Sequence, residues 1–560
     1  MSHTHWNLLP PATQPINLDG VHPLVARLLY NRGISDPSQV ELFLSNDRRS
    51  EADPLLLPDM PKAVIRTNQA LCSGEKIAVY GDFDADGITA TALLTQGISS
   101  LGGRVIPYIP RRSAEGYGLK TAALDKLHQQ GISLVITVDT GITAVAEVDH
   151  ARQIGMDIVI TDHHIPPSQL PSATAVVNPK RSGSTYPFSG LAGVGVAFKF
   201  LQALIPDKGP RQEIVKRALD LVALGTIADM VPLLGENRYW VKSGLELLNK
   251  TQRLGLKELM RCANLQPGKL DAQSISWTLG PRINAAGRID NATTSYRLLV
   301  TENMQEASFL ATELEKKNAE RMKQTNELMG KASQSVIAGG VEQPLLLASG
   351  EDYNSGVMGL VAGRLAERYY RPVILLKIGQ EFSRGSGRSI DEFNLMSALE
   401  ACSDLLSNFG GHTKAAGFSV ATSNLSQFHQ RILDLAKEKL EGLDLKPHID
   451  IDAEVPLSIF AGDTYQQIQQ LEPFGIANPE PTFLSRRVEV IEQRLMGAQN
   501  EHVRLKVRQG GITWDAVGFD MGTYNSEINQ YLDIVYYLEL NRWNGTETLR
   551  LNLVDFEPSR

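Results

Sequence analysis

The chain has 560 residues, 42% hydrophobic and 21% charged, with a formal net charge of −8, a length that suits about three or four domains of ordinary globular composition. No run of about 18 apolar residues is present to span a membrane, the first residues lack the basic-then-apolar layout of a signal peptide, and Cys72, Cys262 and Cys402 form no Cys-x-x-Cys, which together suggest a cytoplasmic protein with reduced thiols. The acidic balance argues mildly against a nucleic-acid partner, although a basic groove can coexist with an acidic remainder.

Residues 1–70 read as a mostly helical lead-in with a Pro-rich patch at 54–61. Ile77 to Tyr80 is a short apolar run of the kind that makes a buried strand. Asp82, Asp84 and Asp86 follow, closed by Gly87 and by an apolar helical pattern from Ile88 to Leu101. Three acids at one strand end repel one another. They form either a solvated turn with an N-cap Asp or a site for a divalent cation, which prefers hard carboxylate oxygens. The strand at 104–109 leads to Arg111 and Arg112, and a helix at 121–130 ends at Gly131. The strand at 134–138 ends in Asp139. After a helix at 143–154, the strand at 158–161 ends in Asp162, His163 and His164. Strands alternating with helices, each an unbroken apolar run, specify a parallel sheet covered on both faces. Ligands of such sheets bind beyond the carboxyl ends of the strands. Three ends rich in metal-ligand residue types therefore lie side by side. The glycine-rich Gly190–Gly195 leads into a helix. It can offer backbone N–H groups to an anion or simply permit close packing. The apolar segment from Leu221 ends in Asp229, which is a helix cap or a further member of the set.

Residues 300–338 read as one long charged connector helix. Pro344–Ala348 and Val373–Lys377 are strands of a second α/β domain. Ser383–Ser389 interleaves small residues with arginines, Ser386 and Arg388 among them, which suits a phosphate; the alternative is a mobile basic loop. His412 is a phosphate contact or a turn residue. From about 447 the pattern turns to alternation, with strands at 448–452, 503–508, 513–517 and 549–554, as in a small antiparallel barrel. Arg504, Lys506 and Arg508 share one face by period two. With Trp514 and Trp543 nearby they have the makeup of a single-strand-binding barrel, or else of a solvated face over core tryptophans.

Asp-x-Asp-x-Asp-Gly at 82–87, Asp139-Thr140-Gly141, Asp162-His163-His164 and Gly225-Thr226-Ile227-Ala228-Asp229 together resemble the DHH phosphoesterase superfamily. Gly410 to Phe418 resembles the glycine-rich motif of the DHH-associated domain. With Pro281 to Arg288 and the C-terminal region, the whole set resembles the single-strand-specific 5′→3′ DNA exonucleases of that superfamily. The resemblance implies an α/β fold: a lead-in at 1–70, a parallel-sheet catalytic domain at 71–300, a connector helix at 301–340, a smaller α/β DHH-associated domain at 341–440 and an OB-fold β-barrel at 447–560. It also implies two divalent ions, Mn²⁺ or Mg²⁺, bridged by Asp139. Asp84, helped by Asp82, would serve one ion; Asp86, His163 and Asp229 would serve the other. His164 would face a phosphate, and Asp162 would orient the histidines. Arg111, Arg112, Arg282, Arg288, Ser386, Arg388 and His412 would bind substrate. Many relatives carry a histidine near the position of Tyr80 or Gly81, so the first ion's ligand set departs from the pattern here.

The function so implied is a monomeric, metal-dependent exonuclease that releases mononucleotides from single-stranded DNA in recombination and repair, with a single-stranded-DNA-binding protein as partner. One alternative is a DHH phosphoesterase for short oligonucleotides, cyclic dinucleotides or pyrophosphate, which would not need the added barrel. The other is a non-catalytic DNA-binding scaffold, which would lose the acids and histidines that every motif here keeps.

Overall fold

The structure is a computed structural model that describes residues 4–11, 20–112, 114–205, 212–543 and 546–559. The side chain of Trp543 lies outside the described residues. The chain forms two compact units, Met1–Leu314 with His448–Arg560, and Glu315–Pro447.

The lead-in is not purely helical. It holds a strand, β1 (His5–Leu8), before helices α1 (Pro23–Asn31), α2 (Pro37–Leu44) and α3 (Met60–Ser73). Then come β2 (Lys76–Gly81), α4 (Ala85–Ser100), β3 (Arg104–Tyr108), α5 (Thr121–Gln129), β4 (Ile132–Val138), α6 (Val145–Gln153), β5 (Asp157–Thr161) and β6 (Ala175–Val177). These strands form a parallel sheet in the order β3-β2-β4-β5-β6. Side chains alternate across it. Ile77, Val79 and Ile136 enter one core with α4, whereas Ala78, Tyr80 and Val135 enter another with α5 and α6. Burial on both faces explains the unbroken apolar runs. Tyr80 donates to Gly118 O at 3.2 Å and stacks on Tyr108.

The parallel-sheet half continues with α7 (Gly193–Leu204), α8 (Gln212–Ala228), α9 (Gly235–Leu248), α10 (Leu254–Cys262), a π-helical turn (Ser274–Leu279), α11 (Gly280–Ile289) and α12 (Thr293–Val300). A long helix, α13 (Met304–Gly339), runs from the first unit into the second. Among the described residues no helix is long and apolar enough to cross a membrane.

The second unit has a five-stranded mixed sheet: β7 (Leu346–Gly350), then helix α14 (Ser355–Tyr369), β8 (Val373–Lys377), β9 (Phe382–Arg388), β10 (Leu406–His412) and β11 (Ala415–Ala421), ordered β10-β11-β9-β8-β7. The segment read as a basic loop at 383–389 is thus a central strand through Arg388. Its glycines are required there: a Cβ at Gly385 would lie 2.1 Å from the Phe418 ring of the neighbouring strand. His412 ends edge strand β10 rather than standing in a turn.

Back in the first unit, β12 (His448–Ile451) pairs in parallel with β1 and is not a barrel strand, contrary to the expectation from its alternation. The barrel is built of β13 (Ala453–Glu454), β14 (Phe483–Met496), β15 (His502–Gln509), β16 (Ile512–Gly518), β17 (Tyr531–Trp543) and β18 (Thr546–Pro558), and is closed by pairing of β14 with β17. Leu28 and Leu29 of α1 and Phe43 of α2 complete its core. Arg238 of α9 fastens it to the parallel-sheet half: it donates to Phe43 O, Leu471 O and Glu472 O, each at 2.8 Å, and lies 3.8 Å over the Phe43 ring.

Candidate metal centre and the family of the chain

β2, β4 and β5 end side by side, and α8 ends against them; the predicted ligands and their neighbours meet there. Asp84 caps α4, its Oδ1 accepting from Asp86 N and Gly87 N at 3.1 Å. Asp82, Asp86, Asp139 and His163 are buried, and Asp229 follows α8 directly. Asp139 sits in left-handed backbone at φ 59°, a conformation that Asp and Asn tolerate better than most residues.

Among the described residues three sets could each hold an ion: Asp82, Asp84 and Asp139; Asp86, His163 and Asp229; and Asp139, His163 and His164, which shares a member with each of the others. Asp139 joins them, since its Oδ1 lies 3.1 Å from His163 Nε2. The donor atoms fit divalent cations. His163 Nδ1 faces Leu191 O at 3.1 Å, which places its proton on Nδ1 and leaves the Nε2 lone pair open. That Nε2 makes no hydrogen bond, nor do the buried Asp82 Oδ1 and Asp229 Oδ2. Three acceptors without donors are costly in a protein interior. Burial, followed by the neighbouring carboxylates, pushes Asp82, Asp139 and Asp229 well above the usual aspartate range and Asp86 up to about 7. Burial, then the charge of His164, pulls His163 down to about 3, keeping it the neutral imidazole a metal takes. A pair of divalent cations would reverse each of these penalties at once.

Asp162 is turned away from the gap. Its Oδ1 accepts from His163 N, His164 N and His164 Nδ1, and its Oδ2 from Ile142 N. Burial alone would lower the His164 pKa, but the bond and charge of Asp162 outweigh it and raise the pKa. The part-exposed His164 ring is thus held by Asp162 beside the acids.

The sequence left open whether the glycine-rich stretch at 190–195 serves an anion or close packing, and it serves both. That anion is internal: Gly193 N and Val194 N, at the start of α7, donate to Asp86 Oδ2 and Oδ1 at 2.7 and 2.8 Å. Gly193 has to be glycine, because a Cβ there would lie 2.5 Å from Asp139 Cβ. Gly193→Ala is therefore expected to lower Mn²⁺ affinity about 10- to 100-fold, as read by calorimetric titration, without removing a ligand.

The remaining predicted residues divide by place. The Arg112 guanidinium lies 5.2 Å over the Phe83 ring, within the field of Asp82 and Asp84, while Arg111 is exposed on the same loop. Arg282 and Arg288 are on α11, whose Asn284 Oδ1 accepts from Ala85 N at 2.7 Å and so braces the acidic loop. Ser386 and Arg388 meet in the second unit, where a Cβ at Gly359 of α14 would lie 3.2 Å from Ser386 Oγ and 3.0 Å from Arg388 Nη2. Arg504, Lys506 and Arg508 do share the exposed face of β15. Two of them are already paired across strands, Arg504 with Asp515 at 3.2 Å and Arg508 with Glu489 at 2.7 Å. Trp514 packs edge-on against Phe460 inside the barrel.

Sequence reasoning missed several neighbours of the site. Asn178 donates to His164 O at 2.9 Å, and Tyr117 OH lies 3.4 Å from the His164 ring nitrogens. Lys180 faces the charges of Asp229 and Asp162. Asn178 was within reach of the strand-end logic, since it directly follows β6.

Three family descriptions match: the DHH family N-terminal domain over residues 76–226, the DHHA1 domain over 335–440 and the RecJ OB domain over 451–555. Among curated relatives, single-stranded-DNA-specific exonuclease RecJ of Bacillus subtilis is 38% identical over 96% of this chain and 68% of its own length. The protein of the same name from Escherichia coli is 34% identical over 96% of both chains. The crystal structure of RecJ in complex with Mn²⁺ from Thermus thermophilus superposes with a TM-score of 0.84 at 29% identity, covering 99% of this chain and 80% of that one. The acids behind the net charge of −8 include the buried Asp82, Asp86 and Asp139, so that charge is a poor guide to the surface. By domain order, identity and fold, the chain belongs to the RecJ family of the DHH superfamily.

Proposed function

We propose that the chain is a metal-dependent exonuclease that degrades single-stranded DNA from its 5′ end to mononucleotides, in DNA recombination and repair. The observation that carries the chemistry is the buried set of acceptors without donors at the ends of β2, β5 and α8, gathered about Asp139. The nature of the substrate rests on family membership. Crystal structures of relatives carry Mn²⁺ and Mg²⁺, and carboxylate with imidazole suits either.

Asp82, Asp84 and Asp139 would hold one ion, and Asp139, Asp86, His163 and Asp229 the other. Bound there, two divalent ions supply a water of lowered pKa and neutralise charge on the phosphate. The protein's own share is positional and electrostatic. α7 N–H groups fix the Asp86 carboxylate, Leu191 O fixes the His163 tautomer, and Asp162 holds the His164 ring where it would meet a phosphate oxygen. Arg111, Arg112, Arg282, Arg288, Ser386, Arg388 and His412 are the proposed phosphate contacts. Arg504, Lys506 and Arg508 are proposed as the strand's contacts on the barrel. The domain limits proposed are those of the resemblance: 1–70, 71–300, 301–340, 341–440 and 447–560. A cytoplasmic location, a monomeric state and docking of a single-stranded-DNA-binding protein belong to the same proposal.

The test is digestion of single-stranded DNA labelled at either end, with Mn²⁺, Mg²⁺ or chelator. The expected outcome is metal-dependent release of labelled mononucleotide from the 5′-labelled strand first. Release from the 3′ end first would reverse the polarity. Hydrolysis of dinucleotides or pyrophosphate with long strands left intact would place the chain with the small-substrate phosphoesterases. Tight DNA binding without cleavage under any metal would favour a scaffold.

A further inference from the structure

At 79%, Trp277 is the most exposed of the large apolar side chains among the described residues. A single exposed apolar residue needs no explanation. This one stands in a π-helical turn, Ser274–Leu279, and such turns are frequent at functional sites. Ile275 and Leu279 of the same turn are fully buried, so packing holds the indole outward rather than leaving it adrift. The turn runs directly into α11. There a Cβ at Gly280 would lie 3.5 Å from the Cβ of Ala228, the residue before Asp229. Met230, on the other side of Asp229, is 68% exposed and held in left-handed backbone at φ 59°. Four residues beyond Gly280, Asn284 binds the acidic loop at Ala85 N. The turn that carries the exposed indole thus leads into the helix that packs beside Asp229 and braces the acidic loop, and the exposed Met230 directly follows Asp229 in the chain.

We infer that Trp277 stacks on a nucleobase of the single strand held at the metal centre. Every base has a π-face, so such a platform tolerates any sequence. In a duplex that face is covered by the neighbouring stack, so the contact rewards an unpaired strand. Met230, unbranched and polarizable, suits the edge of the same base. The inference rests on single-stranded DNA being the substrate.

Binding of fluorescein-labelled oligothymidylate to the full chain in chelator, read by anisotropy, tests it without cleavage. Stacking of one base is worth about 1–3 kcal/mol, so Trp277→Ala is expected to weaken binding about 5- to 150-fold and Trp277→Phe to restore most of it. A series of oligonucleotides with one abasic site moved along the strand gives the readout that a merely structural role would not move. At one position the abasic site should weaken binding to the native chain but not further weaken binding to Trp277→Ala. Unchanged affinity in Trp277→Ala, or equal losses at every abasic position in both proteins, overturns the inference while leaving the exonuclease reading intact. A native chain that neither binds the oligonucleotide in chelator nor cuts it with Mn²⁺ overturns both.

Discussion

Asp139→Asn is expected to lower nuclease activity by about 10²- to 10³-fold or more while leaving the metal-free protein at least as heat-stable as its parent. Asparagine is the right substitute because residue 139 sits at φ 59°, where Asp and Asn are tolerated and alanine is strained. Asp139 belongs to two of the three candidate ion sets and lies 3.1 Å from His163, the histidine of the third. Its loss damages both sets at once. The stability half follows from the same geometry. After burial, the charges of Asp86, Asp84, Asp229 and Asp82 are what push Asp139 upward, so the metal-free centre is a cluster of mutually repelling acids. Neutralising one of them relieves repulsion. The parent should therefore gain more from Mn²⁺ in a thermal melt than the variant does. A ligand at about 100 times its Kd contributes about 2.7 kcal/mol, and the variant should forfeit most of that gain. Equal Mn²⁺-induced shifts in the two proteins would remove Asp139 from the centre.

Much of this centre was legible because parallel strands buried on both faces leave unbroken apolar runs, and their carboxyl ends must gather. Asp82, Asp139 and His163 needed nothing more than that rule. What was illegible depended on partners distant in sequence. The strand at 383–388 reads as a loop because serine and glycine have poor strand propensity; the Phe418 ring that demands those glycines comes from another strand. His448–Ile451 alternates like a barrel strand, yet pairs with residues 5–8 at the far end of the chain. The shared face of Arg504, Lys506 and Arg508 followed from period two. That Asp515 and Glu489 would neutralise two of the three did not, since register between strands is not local. The stretch at 190–195 shows the same limit in chemical form: a helix start that can bind an anion does not say whether the anion is a ligand or Asp86 of the same chain.

The second large effect lies away from the ligands, along α7. Lys199 is fully buried there, ion-paired with Glu236 of α9; it donates to Ala52 O at 2.7 Å and lies 5.1 Å from the Trp240 ring. Tyr186 OH also donates to Glu236, at 2.6 Å. Lys199→Met keeps the volume and the apolar stem but strands the glutamate in the core. Breaking a buried pair in this way costs about 3–5 kcal/mol. Because α7 also presents Gly193 and Val194 to Asp86, the loss should loosen the helix that orders the metal centre. The pH dependence separates a stranded acid from simple misfit. Burial already raises Glu236 above the ordinary glutamate range despite Lys199 and Tyr186, and removing Lys199 raises it further. A carboxyl raised in the fold binds more protons folded than unfolded. Its stability contribution is therefore complete below the unfolded pKa and is lost as pH rises through the folded one. The variant should lie nearest its parent at about pH 5 and fall further behind by about pH 8. Urea unfolding of both proteins at the two pH values reads this directly. A deficit of equal size at both would mean that Glu236 is not the stranded charge, whereas recovery in Lys199→Met with Glu236→Gln would confirm that the penalty is electrostatic.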